Sequence, residues 1–249
     1  MTVPNTSVKG GEKMSTKIAL ITGANKGIGF EIARQLGELG IHVVVGARDE
    51  ERGRAAAEKL GAQFVRLDVT DAESVEEAAA WLDKEHGRLD ILVNNAGVTV
   101  PPDQGRPTAS TLETLRHVYE INVFGVVTVT NAMLPLLRKA PAARIVNQSS
   151  ELGSVTQVLI EESPLWPLNN LPYNSSKAAL NMITAAFAKE LWDTSIKVNV
   201  VDPGYCRTDI NGGQGFFTAE YGARIAVRLA TADDSNARFF KHDGSALPW

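Results

Sequence analysis

The chain has 249 residues, of which 44% are hydrophobic and 22% are charged, and it contains 21 glycines, 11 prolines and one cysteine. This composition excludes a disordered or fibrous protein, and a chain of this length can bury a core that needs no disulfide or structural metal. With 25 Lys and Arg against 29 Asp and Glu, the formal net charge is −4, which argues against a nucleic-acid partner because nucleic-acid-binding domains are usually basic.

The N-terminal residues carry no export signal that the sequence reveals. Residues 1–15 are polar and lack the apolar segment of a signal peptide, and no run approaches the ~18 consecutive apolar residues of a membrane span. The lone thiol of Cys206 cannot form an internal disulfide, which fits a reducing compartment. We therefore expect residues 1–16 to be a disordered extension, residues 17–249 to form a single domain, and the protein to be cytoplasmic, without membrane contacts.

From residue 17 onward, short runs rich in Val, Ile and Leu alternate with longer stretches rich in Ala, Glu and Arg. This alternation is typical of repeated βαβ units, and runs that lack polar alternation indicate strands covered on both faces. Because βαβ crossovers are right-handed, we predict an α/β fold with one doubly wound parallel sheet, the Rossmann fold, and helices on both faces. The predicted strands are 17–22, 42–46, 63–67, 89–94, 144–148 and 197–201, and the predicted helices are 27–39, 51–60, 71–86, 111–138, 172–192 and 218–229.

Three irregular segments interrupt this rhythm, at residues 98–110, 152–171 and 204–217. Each follows the carboxyl end of a predicted strand, where open α/β sheets bind their ligands. We therefore expect the three segments to form the walls or lids of one active site. Their apolar side chains favour an apolar ligand; they are Val98, Leu159, Trp166, Tyr205 and Phe216.

A glycine-rich turn follows the first predicted strand. Gly23, Gly27 and Gly29 let the backbone turn tightly, approach a pyrophosphate and pack a helix against the strand. The free N–H groups at the start of that helix would receive the phosphates of a dinucleotide. Such a triplet can be a tight turn and nothing more, but its place between the first strand and the first helix favours a nucleotide site.

The end of the second predicted strand bears on the choice of dinucleotide. An acidic residue there usually accepts from the ribose of NAD, whereas NADP carries a 2′-phosphate that a carboxylate would repel. Arg48 could pair with that phosphate, and Lys26 could supply a second positive charge. Asp49 argues for NAD but comes one position later. The sequence therefore favours NADP(H), with NAD(H) as the alternative.

Several ordered motifs resemble those of the short-chain dehydrogenase/reductase family. They are TGANKGIG at residues 22–29, LDILVNNAG at 89–97, YNSSK at 173–177 and the Pro203-Gly204 pair. The resemblance runs from about residue 17 to the C-terminus. Within the family, the GANKGIG and GARD segments are similar to those of the NADPH-dependent carbonyl reductases.

The resemblance implies an oxidoreductase that transfers hydride between NADP(H) and a carbonyl or alcohol carbon, with Tyr173 as acid or base. Lys177, four residues later on the same helix face, would tune the tyrosine and hold the nicotinamide ribose. A nearby ammonium and the charge of the nicotinamide are expected to lower the pKa of Tyr173 below its usual value of ~10.

The resemblance also implies a serine that orients the substrate oxygen and an asparagine that holds a proton-relay water. The serine matches Ser150, which strand alternation favours over its neighbour Ser149. The asparagine matches Asn122, and the alternative is a side chain bonded to its own helix backbone.

The same resemblance implies a set of cofactor contacts along the chain. Two of these have alternative interpretations, since Asn95 could chiefly tie adjacent strands together and Pro203-Gly204 could only end a strand. The implied contacts are Gly23, Asn25, Lys26, Gly27, Ile28, Gly29, Arg48, Asp68, Val69, Asn95, Ala96, Gly97, Tyr173, Lys177, Pro203, Gly204 and Thr208.

Tyr173 follows Ser150 by 23 positions, a longer separation than is common in the family. The extra segment could roof the substrate pocket or cover the helix face that many relatives use to form tetramers, so a monomer and a homo-oligomer, dimer or tetramer, both stay open. We expect no metal site, because the histidines lie far apart without cysteines or paired carboxylates at ligand spacing. Cys206 is interpreted as a packing residue near the site, with reaction toward electrophiles as the alternative.

The leading hypothesis is an NADP(H)-dependent enzyme that reduces a ketone or aldehyde to an alcohol. The expected partner is a small-molecule carbonyl substrate that is apolar and could be bulky. Two rivals are an NAD-dependent alcohol dehydrogenase on the same fold and a regulator that senses NADP(H) without catalysis. The intact tyrosine, lysine and serine argue against the regulator, which needs no acid or base.

Overall fold

In the computed structural model, residues 16–232 and 234–249 are described, so the expected extension lies outside them except for Thr16. Seven parallel strands form one sheet in the order β3-β2-β1-β4-β5-β6-β7. The predicted Rossmann fold is therefore confirmed. The strands are β1 (Ile18–Thr22), β2 (His42–Ala47), β3 (Gln63–Arg66), β4 (Ile91–Asn94), β5 (Arg144–Gln148), β6 (Lys197–Val201) and β7 (Phe239–Phe240).

Each of the nine α-helices in the described residues lies in a connection between two successive strands. Glycines in the left-handed conformation end α2 and α3, and Asp49 and Asp71 cap their first turns. The helices are α1 (Gly27–Glu38), α2 (Glu50–Leu60), α3 (Ala72–His86), α4 (Pro102–Gly105), α5 (Leu112–Tyr119), α6 (Gly125–Leu137), α7 (Val155–Val158), α8 (Leu171–Glu190) and α9 (Ala219–Thr231).

The single helix predicted over residues 111–138 is interrupted. Its helical path continues from α5 into α6 through a π-helical turn at Glu120–Phe124. Inserted turns of this kind often occur at functional sites. This one carries Asn122, and it therefore places that side chain differently from a regular α-helix.

The core lies on both faces of the sheet. Leu20 and Leu92 pack on one face, whereas Ile21 and Val93, their neighbours along the strands, pack on the other. All four are buried, as expected for parallel strands covered by helices.

The stretch Leu112–Leu137 is long and apolar enough, by length and composition, to cross a membrane. In its most apolar window 61% is buried inside the protein, and Val129, Met133 and Leu137 belong to the core on one face of the sheet. The core helix of a folded domain has the same composition.

The order of the strands positions a crevice. The chain reverses its direction across the sheet between β3 and β4, so that β1 has β2 on one side and β4 on the other. Ligands bind at such a switch point, beyond the carboxyl ends of the strands. Asn95, which follows β4, bonds the end of β1 there. Its Nδ2 donates to the backbone oxygen of Thr22 at 2.9 Å and to that of Gly23 at 3.3 Å.

Candidate active site

A cavity of about 1730 Å³ opens beyond the carboxyl ends of the strands. Parts of all three irregular segments line it, which confirms that they surround one site. Val98, Tyr205 and Phe216 face it as expected, but Leu159 and Trp166 do not line it. These two side chains are 68% and 47% exposed on the outer surface, because the segment between Ser150 and Tyr173 turns them away from the site.

Every residue that the sequence analysis assigned to the cofactor lines this cavity. The phosphate turn follows β1, and the lysine beside the tyrosine bonds the end of β5, with β4 between these two strands. The lining residues in question are Gly23, Asn25, Lys26, Gly27, Ile28, Gly29, Arg48, Asp68, Val69, Asn95, Ala96, Gly97, Tyr173, Lys177, Pro203, Gly204 and Thr208.

The backbone of the glycine turn has the geometry of an anion site. Gly23 and Gly27 have positive φ values of 64° and 59°, which side chains other than glycine rarely adopt. A Cβ on Gly29 would overlap the Asn95 amide and lie 2.7 Å from the Gly23 oxygen. Helix α1 then begins at Gly27 with no side chain capping it, so its first N–H groups are available to an anion from the cavity.

Two basic side chains, Arg48 and Lys26, lie beside the glycine turn. The exposed Arg48 lines the cavity, and it has no hydrogen bond or ion pair within the described residues. Asp49 is already engaged, because its carboxylate accepts from the Arg52 backbone N–H at 2.9 Å as the cap of α2. Lys26 Nζ pairs with Asp209 at 2.8 Å. Arg48 is therefore a cation beside the turn that pairs with no carboxylate within the described residues.

Tyr173 and Lys177 lie on the first two turns of α8, with the lysine ammonium 5.6 Å from the centroid of the tyrosine ring. Lys177 is 5% exposed, and its Nζ donates to the backbone oxygen of Gln148 at 2.8 Å. This bond anchors the lysine to the end of β5 and leaves two of its three N–H groups for other partners.

The two serines after β5 have different surroundings. Ser149 is buried, and its hydroxyl donates to Asn181 Oδ1 at 2.7 Å within the protein. The Ser150 hydroxyl instead lines the cavity and interacts with the phenol of Tyr173. The structure therefore brings Ser150, not Ser149, to the tyrosine.

Asn122 is buried and does not line the cavity. Its side chain does not bond its own helix, so that alternative is wrong. Instead Oδ1 accepts from the Val98 N–H at 2.8 Å, while Nδ2 donates to the Val98 oxygen at 2.9 Å and to Ser176 Oγ at 3.0 Å. Asn122 thereby joins the loop after β4 to α8 one residue before Lys177.

The pKa of Tyr173 in the structure differs from the value expected from the sequence. Burial raises the pKa of Tyr173 to about 12, and the negative charge of Asp202 adds to the rise while Ser150 opposes it. The expected lowering by the ammonium is therefore wrong for the protein alone. Burial also lowers the pKa of Lys177 to about 8.

Sequence reasoning missed two residues that shape this site. Asp202 is 4% exposed and accepts from the backbone N–H groups of Glu151 at 3.0 Å and Gly204 at 3.1 Å, so it ties together the segments that follow β5 and β6. Gly153 contacts the backbone of α8, where an added Cβ would lie 2.7 Å from the Lys177 carbonyl carbon. An acidic residue at the carboxyl end of an apolar strand was the available signal for Asp202.

Burial raises the pKa of Asp202 from 3.8 to about 6. A carboxyl whose pKa is higher in the folded state contributes stability at acidic pH that is lost as the pH rises through 6. Asp202→Asn removes this loss, so its unfolding free energy relative to wild type should be more favourable at pH 8 than at pH 5 by roughly 1–2 kcal/mol. Urea unfolding at both pH values measures this difference.

The exposed Asp193 supplies the matched control for the change from a carboxylate to an amide, and Asp193→Asn is unfolded in urea at the same two pH values. If Asp202→Asn shows the same difference from wild type at both values, Asp202 does not carry the raised pKa.

The site fits a nicotinamide dinucleotide. The hydroxyl oxygen of Thr208 is buried, lines the cavity and has no hydrogen-bond partner within the described part of the chain, so a polar ligand would satisfy it. The glycine turn and Arg48 suit the phosphates. Within residues 16–232 and 234–249, no group of three or more His, Cys, Asp or Glu could hold a metal ion.

Cys206 is buried, and its Sγ donates to the Pro203 oxygen at 3.2 Å. Burial raises the pKa of its thiol to about 11, which disfavours the reactive thiolate at neutral pH. Its contact with the backbone of α9 at Gly222 agrees with a packing residue.

Comparisons with known proteins agree with this architecture. A family model described as short chain dehydrogenase matches residues 17–215. Short-chain dehydrogenase anuI of Penicillium roqueforti is 41% identical over 240 residues, covering 90% of this chain and 92% of that protein. Salutaridine reductase of Papaver bracteatum is 34% identical, covering 99% and 98%. The crystal structure of NADPH-bound carbonyl reductase from chicken fatty liver has a TM-score of 0.83 at 27% identity, covering 94% of this chain and 99% of that one.

Proposed function

Because this chain belongs to the short-chain dehydrogenase family of oxidoreductases, we propose that it is an NADPH-dependent enzyme that reduces a ketone or aldehyde to an alcohol. The observation that carries this proposal is the convergence of Ser150, Tyr173 and Lys177 in one cavity that the glycine turn also lines. A proton donor and a phosphate site thus line the same cavity.

Tyr173 is the proton donor in the proposed reaction. Its raised pKa keeps the phenol protonated at neutral pH, as a donor to the carbonyl oxygen must be. The Ser150 hydroxyl, next to the phenol, donates a second hydrogen bond to the same oxygen and orients it. Lys177 lies beside the phenol, with its ammonium 5.6 Å from the centroid of the ring, and would hold the nicotinamide ribose.

The cofactor's two halves would be held by different residues. The glycine turn, Arg48 and Asp68 would bind the pyrophosphate and the adenosine, and Lys177 and Thr208 would bind the nicotinamide half. When bound, NADPH would supply the hydride that adds to the carbonyl carbon. Asn122 acts as a positioning residue, since its bonds to Val98 and Ser176 hold the cavity wall against α8.

Arg48 supports NADPH over NADH. An unpaired guanidinium at the adenosine end is suited to the 2′-phosphate, and Asp49 is occupied as a helix cap. The NADPH-bound chicken carbonyl reductase supports the same choice. The substrate proposed is a small apolar carbonyl compound, because Val98, Leu165 and Leu168 line the cavity.

The proposal is tested by following NADPH absorbance with a panel of ketones, aldehydes and quinones. Consumption that depends on the carbonyl compound supports it, and the absence of turnover with every member contradicts it. Tight NADPH binding without turnover would favour the regulator, while faster turnover of alcohols with NAD would favour the NAD-dependent dehydrogenase.

The lowered pKa of Lys177 predicts a pH dependence. Below pH 8 the lysine is charged, and above it the charge is lost, so kcat/KM for NADPH, which reports the free enzyme, should fall about tenfold per pH unit above 8. Lys177→Arg keeps its charge throughout this range, and its profile should lack that decline. Initial rates between pH 6.5 and 10 measure both profiles.

The high pKa of Tyr173 keeps the phenol from titrating in this range, so the decline is assigned to the lysine. A flat wild-type profile, or the same decline in Lys177→Arg, would contradict the assignment.

A further inference from the structure

Gln148, the last residue of β5, has an unsatisfied polar group. Its side chain is 6% exposed and lines the cavity. The amide oxygen Oε1 is buried and has no hydrogen-bond partner among the residues that the structure describes. A buried acceptor left without a donor is costly, and such an atom in a cavity wall indicates a ligand that brings the donor.

The neighbours of Gln148 within the protein supply no such donor. Side chains alternate along a strand, so Gln148 faces the same side of the sheet as Val146, within a core cluster that includes Val93 and Val201. These side chains are hydrocarbon and offer no donor. Since no other group in the described part of the chain donates to Oε1, we expect the donor in the cavity that Gln148 lines.

The backbone contacts of Gln148 show which residues its side-chain amide lies near. Its carbonyl oxygen accepts from Lys177 Nζ at 2.8 Å, and Ser150 follows two residues later. The amide therefore lies beside the lysine and the serine of the proposed reaction.

The chemistry of the proposed reactants limits which group can be the hydrogen-bond donor. A ketone or aldehyde has no N–H group, whereas the nicotinamide carries a carboxamide with two. We propose that Gln148 Oε1 accepts a hydrogen bond from the carboxamide N–H of the nicotinamide and so fixes the rotation of the ring. This inference rests on the proposed function and makes Gln148 a positioning residue for the cofactor.

The test compares two cofactors that differ at this group. NADP⁺ has the carboxamide, whereas its 3-acetylpyridine analogue keeps the carbonyl and has a methyl group in place of the NH₂. Dissociation constants from isothermal titration calorimetry give the preference of each protein for NADP⁺ over the analogue. In Gln148→Met, which has a similar shape but no acceptor oxygen, this preference should fall about tenfold from its wild-type value.

Two further variants separate the hydrogen bond from a structural effect. Gln148→Glu keeps an acceptor oxygen and should retain the wild-type preference. Gln214→Met makes the same chemical change on another part of the cavity wall, where the glutamine already accepts from the Tyr205 hydroxyl, and should also retain it.

The inference is overturned if Gln148→Met keeps the wild-type preference, or if it weakens both cofactors equally, since the donor would then be a ribose hydroxyl or another shared group. Loss of the preference in Gln214→Met would overturn it as well. If wild type binds neither cofactor, the proposed function itself fails, which is a distinguishable result.

Discussion

Tyr173→Phe is expected to lower kcat for carbonyl reduction by on the order of 10²–10⁴-fold, while the dissociation constant for NADPH changes by no more than about threefold. The phenylalanine keeps the ring that packs beside Lys177 but removes the only proton that the ring can deliver. Ser150 opposes the rise in the pKa of the phenol, but its hydroxyl cannot replace a donor that must become an anion. Stopped-flow measurement of hydride transfer, with calorimetry for NADPH, separates the two quantities.

A second tyrosine serves as the control for this experiment. Tyr221 interacts through its hydroxyl with His242 Nδ1 at 3.2 Å and does not line the cavity. Tyr221→Phe should therefore keep wild-type kcat. If Tyr173→Phe turns over at the wild-type rate, another group supplies the proton and the proposed role of Tyr173 is wrong.

Arg48→Ala is expected to raise KM for NADPH by about 10- to 100-fold and to leave KM for NADH nearly unchanged. The 2′-phosphate is the one group that distinguishes the two cofactors, and a hydrogen bond to a charged group contributes about 1.5–3 kcal/mol. Lys26 is unavailable to replace the arginine while it pairs with Asp209 at 2.8 Å. Steady-state kinetics with each cofactor measure the change in selectivity.

Arg54 is the matched arginine on α2. It pairs with Glu50 at 2.7 Å and does not line the cavity, so Arg54→Ala should leave both KM values unchanged. Equal increases for NADPH and NADH in Arg48→Ala would mean that the arginine contacts a phosphate that both cofactors share.

The parts of this protein that sequence reasoning predicted well are those whose signal is local. Strands β5 and β6 have the predicted bounds, because each is a short apolar run between polar residues. The phosphate turn was equally accessible, since glycines at 23, 27 and 29 encode a backbone conformation directly. The predicted site residues all lie around one cavity except Asn122, because the ends of parallel strands meet at one edge of the sheet.

The parts that were missed depend on contacts between distant segments. Strand β7 has two residues, Phe239 and Phe240, and it exists through pairing with β6, which no periodicity over two residues can reveal. The π-helical turn carries Asn122, whose partners Val98 and Ser176 are 24 and 54 residues away. The raised pKa of Tyr173 likewise comes from burial and from Asp202, neither of which a four-residue spacing encodes.

The close approach of Gly153 to α8 has a consequence for how this scaffold can diversify. Main chain meets main chain there, with 2.9 Å between the site of an added Cβ and the Lys177 oxygen, so the spacing between the segment after β5 and α8 is set by the backbone. The outer loops can then change in length and composition, which would change the substrates that enter the cavity. The catalytic residues would keep their spacing. A single methyl group at residue 153 would disturb that spacing more than many changes in the loops above it.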